Sequence, residues 1–225
     1  MAVAAKSEDT HALALERIVF FSDAVMAIAI TLLAIDLRLP EAPKLKEQGL
    51  IDLLWDLAPH YGAFVASFTV IGIYWVAHHR MFRFIVAFDG GLVFLNLVFL
   101  FFVVQLPFLA AMLGDHGHLA ASTAIYALGL AAMGFSSSAL WAYAARRKLI
   151  VDDLPAGAVR TLVLRGLMVP IVFLASIPLA FVAPSLAQLS WLAIFPAERI
   201  LSRRLAPAIG AAGGRRTGNA RFTAR

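Results

Sequence analysis

Long apolar runs restrict this chain more than any other feature of its sequence. Five stretches are apolar for about 20 residues or more, the length needed to cross a bilayer as a helix. They cover roughly residues 18–37, 57–77, 91–113, 119–144 and 161–183. A sixth, 185–201, is weaker because Pro196, Glu198 and Arg199 interrupt its second half. The chain is 61% hydrophobic and only 15% charged over 225 residues, against about 25% charged in an ordinary soluble domain. A soluble fold of this size could not hide that much apolar surface. In hydrocarbon each backbone polar group must be satisfied within its own segment, so such runs are helices. The sequence therefore describes an all-α integral membrane protein. Residues 1–204 form a six-helix bundle, and the Gly- and Arg-rich segment 205–225 is a basic tail too polar to pack, expected to be disordered.

Charge sets the orientation. With six spans, all but Arg38, Lys44 and Lys46 of the 19 Lys and Arg residues fall on one side, which the positive-inside tendency makes cytoplasmic. Both termini are then cytoplasmic, and the chain is a multi-pass protein of the cell inner (plasma) membrane. Without the sixth span, the tail with Arg203, Arg204, Arg215, Arg216, Arg221 and Arg225 would lie outside, against that tendency. The net charge of +5 reads as a topology signal, not as a surface for nucleic acid. The first run is expected to persist as a working helix rather than a cleaved signal, because it is long and carries Asp23. Residues 40–50 form a polar outer loop with Pro40 and Pro43, and "LIDLLWDLAPHY" reads as amphipathic, with Trp55 and Tyr61 at interfacial depth. No cysteine is present, so disulfides and thiolate metal sites are excluded.

The first run, "RIVFFSDAVMAIAITLLAIDLRLP", places Ser22 and Asp23 inside an otherwise apolar helix. Asp23 lies about five residues into the span, roughly 7–8 Å deep, and a carboxylate left facing lipid there costs several kcal/mol. It needs partners from neighbouring helices. Groups at the same depth sit at the inner ends of the second and third spans, namely Trp75, His78, His79 and Asn96. The expectation is a polar network of Arg17, Ser22, Asp23, Trp75, His78, His79 and Asn96, with either histidine as the partner of Asp23 and Arg80 nearby. Such a network serves as interhelical glue, as a gating element or as an ion-handling site. A metal is rejected, because adjacent histidines on a helix point about 100° apart, whereas chelating pairs sit three or four residues apart.

The other face of the first run is apolar. Ile28, Thr31, Leu32 and Ile35 fall in one stripe at 100° per residue, extended inward by Phe21, Ala24 and Val25. By periodicity alone, this stripe packs against another helix or lipid.

"RIVFFSDAVMAIAITLL" resembles the signature first helix of the transmembrane protein 175 family of potassium channels, through Arg17, Phe21, Ser22, Asp23 and Ala24. "WVAHHRMF" (75–82) and "NLVFLFFVVQLPF" (96–108) are similar to the ends of that family's second helix and to its third helix. The resemblance implies a single-repeat, bacterial-type chain assembling as a homotetramer around a central pore lined by the first helices. It also implies an apolar constriction at Ile28, Thr31, Leu32 and Ile35, acting as filter and gate in place of the "TVGYG" carbonyl filter, a string absent here. Potassium would be the permeant ion, monovalent cations and the bilayer the partners, and no cofactor is needed. Asp36, at the outer end, would either concentrate cations in an outer vestibule or be an ordinary solvated helix end. Thr31 would either offer its hydroxyl to a partly hydrated ion or bond its own helix one turn back. The competing readings are a secondary transporter and a non-conducting membrane scaffold. An enzyme is disfavoured because neither HExxH nor GxSxG occurs.

Overall fold

The computed structural model describes residues 2–37, 49–151, 154 and 156–194. Every regular element in it is helical. The long helices are α1 (Ala2–Leu32), α3 (Ala58–Phe82), α4 (Gly90–His116), α5 (Ala120–Arg146) and α6 (Ala156–Val182). A 3-10 turn, Leu33–Asp36, extends α1. Two short helices complete the set, α2 (Leu50–Asp56) and α7 (Pro184–Ser190), the latter followed by a 3-10 turn at Trp191–Ala193. Among the described residues, five helices are long and apolar enough to cross a membrane. The expected sixth span is entered only by α7 and its turn. Its remainder, 195–201, lies outside the described residues, as do the tail 205–225 and Arg38, Lys44 and Lys46.

Local chemistry sets the helix ends. Asp89, in an extended conformation, caps α4 by accepting a hydrogen bond from the Leu92 N–H at 2.8 Å, the usual service of a short carboxylate at that position. Prolines sit in the first turns of α3 and α7, where a missing N–H costs nothing. Helix α3 continues to Phe82, five residues past the end that hydropathy suggests. Its last turn is polar by composition but amphipathic by position, because His78, Met81 and Phe82 prolong the buried face. Pro107, Pro170 and Pro178 lie inside helices that run on through them.

Helices α3, α4, α5 and α6 pack in sequence order, α1 lies against α3 and α4, and α7 lies against α6 and α5. Most of the core is one apolar cluster centred on Ile71, Phe99, Leu106, Tyr126, Leu130 and Phe173. Close approach depends on small residues: a Cβ on Gly134 would collide with Tyr74 Oη and lie 2.8 Å from Pro170, so α3, α5 and α6 meet at a site with no room for a side chain. A second cluster, with Phe82, Ile85, Leu92, Leu140 and Trp141, fills one end of the bundle. There the connections after α3 and α5 meet in an antiparallel bridge between Ile85 and Ile150. The Val86 N–H donates to Leu149 O and the Val151 N–H to Phe84 O, both at 2.9 Å. Lys148 makes the tight turn with φ 57°.

The two ends differ in charge. The bridged end carries Arg80, Arg83, Arg146, Arg147 and Lys148. The opposite end carries Asp52, Asp56 and Asp115 and, among the described residues, no Lys or Arg. His60 and Asp115 join α3 to α4 there, Nε2 to Oδ1, at 2.8 Å.

Candidate functional site on the first helix

Two sides of α1 have opposite surroundings. Ser22, Met26, Ala29 and Leu33 recur at helical spacing and are almost completely buried against the bundle. On the far side, Phe21, Ile28, Leu32 and Ile35 are 54%, 58%, 41% and 50% exposed, and Ala24 and Thr31 are exposed beside them. Val25, expected in this stripe, instead turns part-way into the bundle and packs on the core. Thr31 Oγ1 donates to Ile28 O at 2.8 Å, so its hydroxyl proton points back into its own helix and its lone pairs remain to face outward. Asp36 ends the 3-10 turn, and its side chain lies outside what the structure describes.

The buried side carries the polar residues, in an order the sequence does not reveal. Ser22 Oγ donates to Ile18 O at 2.8 Å and accepts from Asn96 Nδ2 at 2.9 Å. The Asn96 carbonyl lies 2.9 Å from His78 Nε2. A carbonyl oxygen only accepts, so His78 must carry a proton on Nε2, and the chain from His78 through Asn96 and Ser22 to Ile18 donates in one direction throughout. The His78 ring is held between Phe82 and Phe99, with centroids 4.4 and 5.5 Å away. Asp23 is not a member of this chain. Its carboxylate accepts from the Trp75 indole N–H at 2.8 Å.

The expectation of a histidine partner for Asp23 is therefore corrected. Depth brought the right helices together, but successive residues on α3 point about 100° apart, which turns His78 towards α4 and leaves Trp75 facing α1. His79 joins only through its ring, stacked on Trp75 at 5.9 Å. Arg17 is exposed and makes no ion pair with Asp23; nor does Arg80. The expected group of Arg17, Ser22, Asp23, Trp75, His78, His79 and Asn96 contains two separate hydrogen-bonded ties, Trp75 to Asp23 and His78 through Asn96 to Ser22.

Sequence reasoning missed a third polar assembly. Asp89 accepts hydrogen bonds from Tyr143 Oη at 2.9 Å and Arg147 Nε at 3.4 Å as well as from Leu92. The Leu92 N–H foremost, then Tyr143 and Arg147, hold its carboxyl below the usual carboxylate range. The visible signal was an aspartate directly before the first turn of an apolar run. At the opposite end, Tyr126 Oη and Ser67 Oγ bond at 2.8 Å, and Trp191 Nε1 donates to Ser176 Oγ at 2.9 Å. Among the described residues, no cluster of His, Asp or Glu is arranged to hold a metal ion.

The arrangement is that of a helix fastened on one side and bare on the other. Comparison with known proteins adds the lineage. The family model described as the endosomal/lysosomal potassium channel TMEM175 matches residues 17–107, from the first helix to the middle of α4. A potassium channel of Streptomyces collinus is 38% identical over 177 residues, covering 76% of this chain and 84% of that one. This chain belongs to the TMEM175 family. The crystal structure of a TMEM175 homologue from Chamaesiphon minutus superposes with a TM-score of 0.72 at 28% identity, over 84% of this chain and 97% of that one. The bovine endosomal/lysosomal proton channel TMEM175 is 38% identical over 98 residues, a segment that is 41% of this chain and 20% of that protein. TMEM175 proteins are ion channels and not enzymes, and the matched segment holds α1 together with the helices that fasten it.

Proposed function

We propose that this chain is a potassium-permeable cation channel of the cell membrane, whose pore is lined by α1 from several copies. Four copies is the number its family resemblance implies. The observation that carries the reading is the bare side of α1. Ile28, Leu32 and Ile35 are about half exposed on a helix whose other side is tied into the bundle by Trp75 to Asp23 and Asn96 to Ser22. Rings of these side chains would form a constriction that offers no oxygen to replace an ion's hydration shell. Passage then depends on partial dehydration, which is cheaper for potassium than for sodium, and discrimination is weak. The same rings can close by losing their water, so filter and gate coincide. Thr31, with its proton committed to Ile28 O, has lone pairs available to a partly hydrated cation one turn from Ile28 and beside Leu32. Asp36 carboxylates at the outer end would raise the local cation concentration.

Ile28→Asn tests the reading in proteoliposomes carrying a potassium gradient. A polar ring should raise the flux severalfold and erode the preference for potassium over sodium. An unchanged flux with an unchanged permeability ratio would overturn the assignment of the pore to α1. A saturable flux coupled to a second ion would turn the reading towards a transporter.

A further inference from the structure

The two polar ties of α1 leave Arg17 out. Its side chain is exposed, and among the described residues its guanidinium makes no hydrogen bond and no ion pair. At 100° per residue Arg17 lies about 20° from Ile28 and at the angle of Ile35, so it continues the exposed stripe of α1 towards the N-terminus. Phe20 and Phe21, 68% and 54% exposed, fill the interval. Arg17 sits roughly 16 Å along the helix from Ile28, at the basic end of the bundle, where its neighbours Leu15, Ile18 and Val19 pack on the cluster that fills that end. Carboxylates nearby are turned away or engaged. Glu16, the next residue, points about 100° aside; Asp23 accepts from Trp75, and Asp89 from Leu92, Tyr143 and Arg147. An arginine on a lipid-facing stripe would reach for headgroups, but Arg17 shares its direction with Ile28. Whatever the stripe faces, both face.

We infer that Arg17 makes conduction directional: copies of α1 place a ring of guanidinium groups at the basic-end mouth of the pore, and cations enter by that mouth less readily than they leave by it. The inference rests on the pore reading above. A guanidinium stays protonated at every working pH. A ring of positive charge thins the cations in front of it and starves the current that must enter there. Current in the other direction is supplied from the end that carries Asp52, Asp56 and Asp115, where cations are enriched. The effect is electrostatic, so salt removes it: the screening length falls from about 10 Å at 0.1 M to about 3 Å at 1 M.

Single-channel currents of the full-length protein in planar bilayers test this, with equal KCl on both sides and both polarities recorded. In about 50 mM KCl the wild type should pass one direction about twofold more weakly than the other, and the difference should shrink in about 1 M KCl. Arg17→Gln should raise the weaker current about twofold or more in the dilute salt and leave it nearly unchanged in the concentrated one. Arg17→Lys, which keeps the charge, should behave as the wild type, and Arg83→Gln, the same charge change on α3, should have no effect. A rise of equal size at both salt concentrations, or the same rise in Arg83→Gln, overturns the inference. So does an unchanged weaker current in Arg17→Gln while Ile28→Asn still alters conduction, a result that leaves the pore on α1 intact. If Ile28→Asn also changes nothing, the pore reading falls and the inference with it.

Discussion

Helices α1 and α5 make an instructive pair. Both are long enough to span a bilayer, yet over their best-matching spans 56% of α5 is buried inside the protomer and only 22% of α1. Helix α5 is the hub, packed by small residues and shape, with Tyr126, Ala127, Leu130 and Met133 all fully enclosed. Helix α1 is held on one side only, by the buried Met26, Ala29 and Leu33 and by a few directional bonds. Shape packing encloses one broad face of α5 while Ile125 and Leu128 stay about half exposed; polar ties fix one side of α1 and release the other. A helix that carries its specificity on one side and its exposure on the other is built for a second partner, whether copies of itself or lipid.

The largest expected effect breaks the hub. Gly134→Leu forces a side chain against Tyr74 and Pro170 where even a Cβ has no room. It should cost about 3 kcal/mol or more and remove the monodisperse peak in size-exclusion chromatography. Asn96→Ala cuts the tie from His78 to Ser22 and should cost about 1–2 kcal/mol, read as a lowered midpoint in thermal unfolding followed by the same chromatography. Trp75→Phe removes a single bond at a partly exposed site and should cost about 0.5 kcal/mol, so the two substitutions together rank the anchors of α1. Ile28→Ala should leave the unfolding midpoint within about 0.5 kcal/mol of wild type; a larger loss would show that the bare side is a packing surface within the protomer.

The smallest effect concerns Asp89. Its carboxyl is depressed in the folded state, chiefly by the Leu92 N–H. Its contribution to stability is therefore complete above the ordinary carboxylate pKa of about 4 and is lost as pH falls through the folded value. Asp89→Asn keeps a capping oxygen and should flatten stability against pH on the acid limb while changing little near neutrality. An unaltered acid limb in pH-dependent unfolding would show that the cap carries no charge-dependent stability.

The spans were legible because a bilayer demands length and hydropathy together, and both are local properties of sequence. Trp75, His78 and Asn96 were legible as neighbours of Ser22 and Asp23 because helix direction alternates and rise per residue is constant, which fixes depth. The pairing within that group was not legible. Which of Trp75, His78 and His79 meets Asp23 depends on the rotation of α3 about its own axis, and that rotation is set by contacts such as Ile71 and Tyr74 with Phe99 that lie far away in sequence. The approach of Gly134 to Pro170 was hidden for the same reason. Thr31 was readable only as two possibilities, and the bond to Ile28 O leaves its oxygen usable in either.

The small bridge between Ile85 and Ile150 has a mechanical meaning. It sews together the two loops at which the hairpins α3–α4 and α5–α6 would otherwise hang open, while the short turn 117–119 closes the middle pair at the other end. Four of the long helices are thus tied to one another at the basic rim, and α4 to α5 at the other. Compliance is left to α1, which joins them through one connection and a handful of side chains.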